Sequence, residues 1–137
     1  MSQNEELIIT LATLQSHLLK KIDQNLSVHG ISFSEFLVLH HLHGAPNMTM
    51  RRIDLAECIG LSASGVTRLV NPMEKNHLVR KEVNARDARV SLVQLSETGQ
   101  ELYKNAKASF GQCSDDLLKS LSNKQVATLL KLTSSLL

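Results

Sequence analysis

The chain has few cysteines and few aromatic residues, and it contains no long run of apolar residues. Its two cysteines, Cys58 and Cys113, are too few for the disulfide framework of a small secreted domain, and they suit a reducing compartment. No apolar run approaches the roughly 20 residues of a membrane-spanning helix. Residues 1–6 are polar and do not resemble a secretory signal. We therefore expect a soluble protein of the cytoplasm.

The sequence motifs that mark common enzyme classes are also missing. There is no glycine-rich phosphate loop, no nucleophile elbow and no carboxylate pair in a recognisable context. We therefore expect no enzyme, no catalytic residues and no cofactor. The formal net charge is only +2, so that any affinity for nucleic acid has to come from a local basic patch. A length of 137 residues with 42% hydrophobic content predicts one domain with one core.

Residues 52–71 have the pattern of two short helices joined by a tight turn. An apolar stripe at helical spacing predicts the first helix, with Ile53, Leu55, Ala56 and Ile59 on its buried face. Gly60 is expected to end this helix, because glycine adopts a positive φ at little cost. Ser62 is the predicted N-cap of the second helix, whose buried face is predicted to be Val66, Leu69 and Val70. The pattern is that of a helix-turn-helix.

The opposite face of the second helix carries polar or small side chains and no carboxylate. Its residues are Ser62, Ala63, Ser64, Thr67, Arg68 and Asn71. We expect the two serines to lie near a phosphate, because the N-terminus of a helix favours negative charge. Thr67 and Arg68 are predicted to contact bases, Arg68 suiting guanine, and Asn71 is expected to read adenine or to cap the helix. The alternative is an ordinary helical hairpin whose polar side faces water.

A β-hairpin with a basic tip is predicted directly after this helix. Residues 78–83 and 90–95 are rich in valine and leucine, and they flank the charged loop 84–89. A helix-turn-helix followed by such a hairpin is a winged helix. The tip can present arginine to the minor groove of DNA, where the negative potential is strongest. Alternatively, the hairpin is simply solvated and its charges keep it soluble.

The flanking segments are predicted to be helices, so that the fold class is mainly α with a small β-hairpin. Helices are expected over residues 5–28 and 32–44, then from Ser96 onward and from Ser122 to the end. Residues 48–50 are expected to be extended or turn-like, with Thr49 as the candidate cap of the helix that follows. Serine and a glutamate or glutamine three residues later form two predicted capping boxes, Ser32 with Glu35 and Ser122 with Gln125. Leucine stripes at both ends lie outside the winged-helix core, and we expect them to pack in a two-fold homodimer.

Four ordered motifs resemble the MarR family of bacterial transcriptional regulators. They are LSxSxVTRLV at 61–70, EKxxLV at 74–79, DxR at 87–89 and LSxxG at 95–99. The resemblance implies a winged-helix part at 32–95, with residues 5–29 and 96–137 forming a dimerisation domain. It further implies a homodimeric repressor that binds an inverted-repeat operator in double-stranded DNA. Release by a small phenolic or anionic effector is expected from the same resemblance.

The sequence departs from the family pattern at three positions. Ala88 stands in the DxR motif where relatives often carry arginine, so Arg86 is the candidate for the minor groove, while Asp87 is expected to hold Arg89. His77 occupies a common glycine position, so that Asn76 or His77 has to accept the strain of the turn. Pro72 lies inside the recognition helix, and a kink or local break is expected near Asn71 because proline has no N–H to donate.

Other residues suggest alternative functions. The cluster His40, His41 and His43 is interpreted as surface or interface histidines in preference to a metal site. Cys58 is expected to be a buried, inert thiol. His17, Lys20 and Lys21 are candidates for binding an anionic effector, although the solvated face of a helix is the preferred interpretation. The alternatives to a DNA-binding regulator are a winged-helix module that binds a protein, which Pro72 and Ala88 favour, and a redox- or metal-responsive regulator.

Overall fold

The computed structural model describes residues 1–137 and contains six α-helices and one three-stranded sheet. The helices are α1 (Gln3–Leu26), α2 (Phe33–His43), α3 (Arg52–Ile59), α4 (Ala63–Lys75), α5 (Glu97–Leu117) and α6 (Asn123–Ser134). The strands are β1 (Thr49–Arg51), β2 (Val79–Val83) and β3 (Ser91–Leu95). Single 3-10 turns lie at Ser27–His29 and Pro46–Met48. The predicted fold class is confirmed.

Side-chain caps fix where most of the helices begin. Both predicted capping boxes are present, and in the first one Glu35 N donates to Ser32 Oγ at 3.2 Å while Ser32 N donates to Glu35 Oε1 at 3.0 Å. Ser96 caps α5 through a bond of 2.9 Å from Gly99 N. These bonds satisfy N–H groups that have no partner inside the helix. The helix starts predicted from serine positions are therefore confirmed.

The sheet contains one strand more than the predicted hairpin. The strand order is β1-β3-β2, with both pairs antiparallel, and β1 is placed by the pairing of Met50 with Val93. The prediction that Thr49 caps a helix is wrong. Thr49 lies in β1 opposite Gln94, and α3 begins after Arg51, which provides no side-chain cap. The strand takes up residues that would otherwise extend the start of the helix.

The core lies between α2, α3, α4, the sheet and the facing parts of α1 and α5. Leu55, Ala56, Val66 and Val70 are buried as predicted. The prediction for Ile53 is wrong, because its side chain is 61% exposed. The buried face of α3 is centred between Leu55 and Ala56, and at about 100° per residue Ile53 lies about 110° away from that line.

The recognition helix α4 continues through Pro72 as far as Lys75. The predicted break near Asn71 is therefore absent. Pro72 is exposed, so its ring displaces no core residue, while buried side chains before and after it, Val70 and Met73, hold the helix against the core. The strain of the following turn falls on His77, which has a φ of 62°. This result agrees with the prediction that Asn76 or His77 would take a glycine-like conformation.

The two terminal helices leave much of their apolar surface uncovered. On α1, Leu7, Ile8 and Ile9 are at least half exposed, and α6 has no buried residue at all. Leu130 and Leu132 of α6 are 65% and 60% exposed. None of the helices combines the length and the apolar content that crossing a membrane requires.

Candidate nucleic-acid interface

The turn of the helix-turn-helix aims the start of α4 away from the core. Gly60 adopts the left-handed conformation with a φ of 76°, which glycine tolerates because it has no Cβ. Ser62 then caps α4, its Oγ accepting a bond of 3.1 Å from Gly65 N. Ser62, Ala63 and Ser64 are all exposed at this end of the helix. The predicted phosphate-facing residues therefore share one open surface with the free N–H groups of the helix.

Thr67, one turn further along α4, has a hydroxyl group with two partners inside the protein. Thr67 Oγ1 donates to the carbonyl of Ala63 at 3.1 Å and accepts from Arg52 Nη1 at 2.7 Å. Sequence reasoning missed Arg52 as part of this surface. No local pattern indicates it, because the contact joins side chains on two different helices that lie 15 residues apart.

Arg68 and Asn71 are exposed on the same helix but differ in their contacts. The guanidinium group of Arg68 makes no hydrogen bond or ion pair within the protein, so it is available to an external partner. The side-chain oxygen of Asn71 accepts a hydrogen bond from Lys81 Nζ of β2. Lys81 Nζ also lies 4.0 Å from Glu74 Oε2, so this lysine connects the recognition helix to the first strand of the hairpin.

The tip of the hairpin is ordered by its own side chains. Asp87 binds Arg89 through a bidentate pair, with Arg89 Nε at 3.0 Å from one carboxylate oxygen and Nη2 at 3.1 Å from the other. The bond from Arg89 Nε lowers the pKa of Asp87 below its ordinary value. The Arg89 side chain nevertheless stays 90% exposed. Arg86 is exposed without any side-chain partner, while its backbone N–H donates to Asn84 Oδ1 at 2.8 Å.

The exposed face of α4 and the hairpin tip each carry groups suited to a polyanion. They present helix N–H groups, small hydroxyl side chains and the arginines at 68, 86 and 89. Between Ser62 and Met73 no residue of α4 carries a carboxylate. Phosphate and base-edge contacts use this set of groups. The sequence-predicted residues thus lie in two elements, α4 and the hairpin, and Lys81 of β2 connects the two elements at Asn71 and Glu74.

The histidines of α2 belong to an aromatic cluster with α5. Tyr103 Oη lies 2.8 Å from His40 Nδ1, and its ring centroid lies 4.8 Å from that of His43. Burial, followed by the charge of His40, lowers the pKa of His41, and burial raises the pKa of Tyr103. The three histidines do not converge with carboxylates or thiols into a group that could hold a metal ion.

The structure also shows where Cys58 and the candidate effector-binding residues of α1 lie. The prediction that Cys58 is a buried thiol is wrong, because it is exposed on α3, about 110° around the helix from the buried line between Leu55 and Ala56. His17, Lys20 and Lys21 are exposed on one side of α1. His17 lines a cleft with Ile9, Thr10, Thr13 and Leu14, and neither Lys20 nor Lys21 is among the residues that line it.

Comparison with known proteins bears out the resemblance that the sequence motifs indicate. The family model described as "MarR family" matches residues 29–90. The transcriptional repressor MprA of Escherichia coli (strain K12) is 26% identical over 135 residues, which cover 97% of this chain and 77% of MprA.

Solved structures share the fold over nearly the whole chain. The MarR family transcriptional regulator Sco3205 from Streptomyces coelicolor, in complex with DNA, has a TM-score of 0.90 at 20% identity, covering 99% of this chain and 90% of that one. A mutant MarR from Escherichia coli complexed with operator DNA has a TM-score of 0.87 at 22% identity, covering 100% and 99%. The motifs, the family model and the shared fold agree: residues 29–90 match the MarR family of transcriptional regulators, and the whole chain has the fold of its solved members.

Proposed function

We propose that the protein is a transcriptional repressor that binds double-stranded DNA as a homodimer at an inverted-repeat operator. The observation that carries the proposal is the exposed face of α4, where Arg68 has no partner within the protein and no carboxylate lies nearby on the helix. Arginine in a recognition helix binds the O6 and N7 atoms of guanine. Arg86 and Arg89, at the tip of the hairpin, are the candidates for the adjacent minor groove.

The proposal assigns DNA binding and dimerisation to different segments of the chain. Residues 32–95 form the DNA-binding part, and residues 5–29 and 96–137 form the dimerisation part. The uncovered apolar side chains of α1 and α6 support this division, because a monomer rarely exposes a contiguous patch of that kind. A two-fold partner covers the patch with the same helices. Two recognition helices about 34 Å apart then meet successive turns of DNA in the bacterial cytoplasm.

The relatives support a role in repression. MprA is named a transcriptional repressor, and the structures of Sco3205 and of mutant MarR were determined with DNA. A repressor of this architecture blocks transcription while it occupies its operator. The sign of regulation is tested by deleting the gene, which should raise transcription of the target, whereas an activator gives the opposite change.

We also propose that a small phenolic or anionic effector releases the protein from DNA. The relative CouR from Rhodococcus jostii RHA1 was solved with p-coumaroyl-CoA bound. In this chain His17, Lys20 and Lys21 supply exposed cationic or titratable groups on α1. Release requires that the effector change the spacing of the two recognition helices, and so bind one conformation more tightly than the other. An effector that binds the dimer and leaves operator affinity unchanged contradicts this step.

The test is DNA binding by the purified protein at two salt concentrations. The probes are the DNA upstream of its own gene and duplexes selected from a random-sequence library. We expect specific binding that weakens steeply with salt, because phosphate contacts release counterions. Arg68→Ala should weaken specific binding by about 1–3 kcal/mol and relax specificity at one position. Lys107→Ala, an exposed basic residue of α5, is the matched control and should bind like wild type.

The absence of specific DNA binding would contradict the proposal. If neither probe is bound specifically, the proposal fails and the protein-binding alternative takes its place. That alternative predicts an interaction that depends only weakly on salt. If Arg68→Ala and Lys107→Ala weaken binding equally, Arg68 does not read a base.

A further inference from the structure

A pair of side chains connects the two helices of the helix-turn-helix. Arg52, the first residue of α3, donates from Nη1 to Thr67 Oγ1 of α4 at 2.7 Å. Arg52 is half-buried, its Nε is buried without a hydrogen-bond partner, and no carboxylate pairs with it. Its neighbour Arg51 is different, because that side chain is about half exposed and binds Asp54 at 3.0 Å.

Keeping an unpaired guanidinium group partly buried is unfavourable. The charged group loses water, and no carboxylate offsets the loss. An apolar side chain of similar length would fill the same space without that loss. The guanidinium group of Arg52 makes one hydrogen bond within the protein, the bond to Thr67. This bond is therefore the feature that accounts for a partly buried arginine at this position.

The bonds of Thr67 determine which part of its side chain remains available. Its only hydroxyl proton goes to the carbonyl of Ala63, and one lone pair accepts the bond from Arg52. The two bonds select one staggered rotamer for a β-branched side chain. With its proton used, Thr67 cannot donate to a base acceptor, and it can offer the major groove its methyl group and the remaining lone pair of its hydroxyl oxygen.

We propose that Thr67 reads a thymine through its methyl group and that Arg52 is the positioning residue that fixes this orientation. The contact would join the Thr67 methyl group to the C5-methyl group of thymine, which only thymine presents in the major groove. The inference rests on the proposed function, since it concerns how α4 reads DNA. Each half-site of the operator would then contain one thymine contacted by Thr67 and one guanine contacted by Arg68.

The first experiment removes one methyl group from the DNA. In the tightest duplex from the random-sequence selection, each thymine is replaced in turn by deoxyuridine, which lacks only the C5-methyl group. We expect one position in each half-site where wild-type affinity falls about fourfold, the factor that corresponds to one buried CH₂ or methyl group. At the other thymines we expect no change.

Substitutions at Thr67 separate the methyl group from the hydroxyl group. Thr67→Val carries a methyl group on both branches of the side chain, so it should retain the sensitivity to deoxyuridine even without the orienting bond from Arg52. Thr67→Ser keeps the hydroxyl group and should bind the thymine and deoxyuridine duplexes equally. If Thr67→Ser is as sensitive as wild type, or if no thymine position is sensitive in the wild-type protein, the inference is overturned while the proposed function stands.

Substitutions at Arg52 test its role as a positioning residue. Arg52→Met removes the donor but keeps a long apolar side chain, and we expect the fourfold discrimination to disappear. Arg52→Lys keeps a donor and should restore most of it. Arg51→Met removes the same charge from the neighbouring residue, which does not contact Thr67, and should leave the discrimination unchanged.

Two outcomes at Arg52 contradict the positioning role. If Arg52 only contacts a phosphate, Arg52→Met lowers the salt slope by about one but leaves the discrimination intact. If Arg52 only stabilises the fold, thermal unfolding shifts while the discrimination persists. If the selection yields no duplex at all, the proposed function fails together with this inference.

Discussion

The winged-helix part and the terminal helices have similar leucine-rich patterns but opposite packing. All the buried core residues lie between Ile22 and Ala106, and Leu39 and Leu42 of α2 are completely buried. In α6, by contrast, Leu130 is 65% exposed and no residue is buried. The winged-helix part therefore completes its core within one chain, together with the facing residues of α1 and α5, whereas the apolar side chains of α6 remain uncovered in the single chain. An apolar stripe shows that a helix needs a partner, but not whether the same chain provides it.

The largest expected difference between the two parts concerns stability. Leu42→Ala should lower the free energy of unfolding by about 2–5 kcal/mol, because it leaves a cavity in a closed core. This loss should appear at every protein concentration. Leu132→Ala in α6 should act through the dimer and so depend on protein concentration. Denaturant unfolding at several concentrations distinguishes the two, and equal, concentration-independent losses would contradict the comparison.

The second prediction concerns assembly. Leu130→Glu should weaken the dimer by about 3 kcal/mol or more, over a hundredfold in the dissociation constant, because it places an unpaired charge in an apolar interface. Val83→Glu is the matched control, because Val83 is also 65% exposed in the single chain but lies in β2 of the hairpin. Sedimentation of the two variants measures the effect. A Leu130→Glu variant that remains as dimeric as Val83→Glu would exclude α6 from the interface.

A smaller effect is expected at the turn before β2. His77→Gly should raise the free energy of unfolding by about 1 kcal/mol, because it relieves a positive φ that non-glycine residues adopt at a cost. The adjacent Asn76→Gly is the control. Asn76 has a φ of −87°, so glycine there should lower stability by about 0.5–1 kcal/mol. Thermal unfolding measures both, and a loss of stability in His77→Gly would show that His77 makes contacts outweighing the strain.

The smallest effect concerns the pH dependence of the hairpin tip. Pairing with Arg89 lowers the pKa of Asp87 in the folded protein, so its stabilising contribution is present above the ordinary pKa of about 3.9. The contribution is lost as the pH falls through the lowered value. We expect the NMR signal of Arg89 Nε–H to stay constant above pH 5 and to shift only in stronger acid. In Asp87→Asn that transition should be missing, and a transition near neutral pH in the wild-type protein would contradict the pairing.

Local chemistry made much of the fold predictable from the sequence. Gly60 and Ser62 define the turn because each satisfies a backbone requirement within a few residues. The capping serines Ser32, Ser96 and Ser122 work in the same way. The MarR-type motifs carried the resemblance to the family, which the match over residues 29–90 and the shared fold bear out.

Features that depend on distant contacts were not predictable. The sequence predicted that residues 48–50 are extended or turn-like, but not that strand β1 pairs with β3 more than 40 residues later. The exposure of Ile53 and Cys58 depends on the direction in which α3 faces the core, which its short apolar stripe did not define. The contact of Arg52 with Thr67 joins two helices through side chains alone. At the candidate site, the sequence predicted which residues would be exposed, and the structure revealed their internal partners.

The central claim is that the winged helix reads DNA while the terminal helices join two chains. Its most direct test is the mass of the complex formed with the selected duplex, measured for a full inverted repeat and for a duplex with a single half-site. We predict two chains on the full repeat, with affinity falling by orders of magnitude on the single half-site. One chain per duplex, with equal affinity for the two duplexes, would contradict the account.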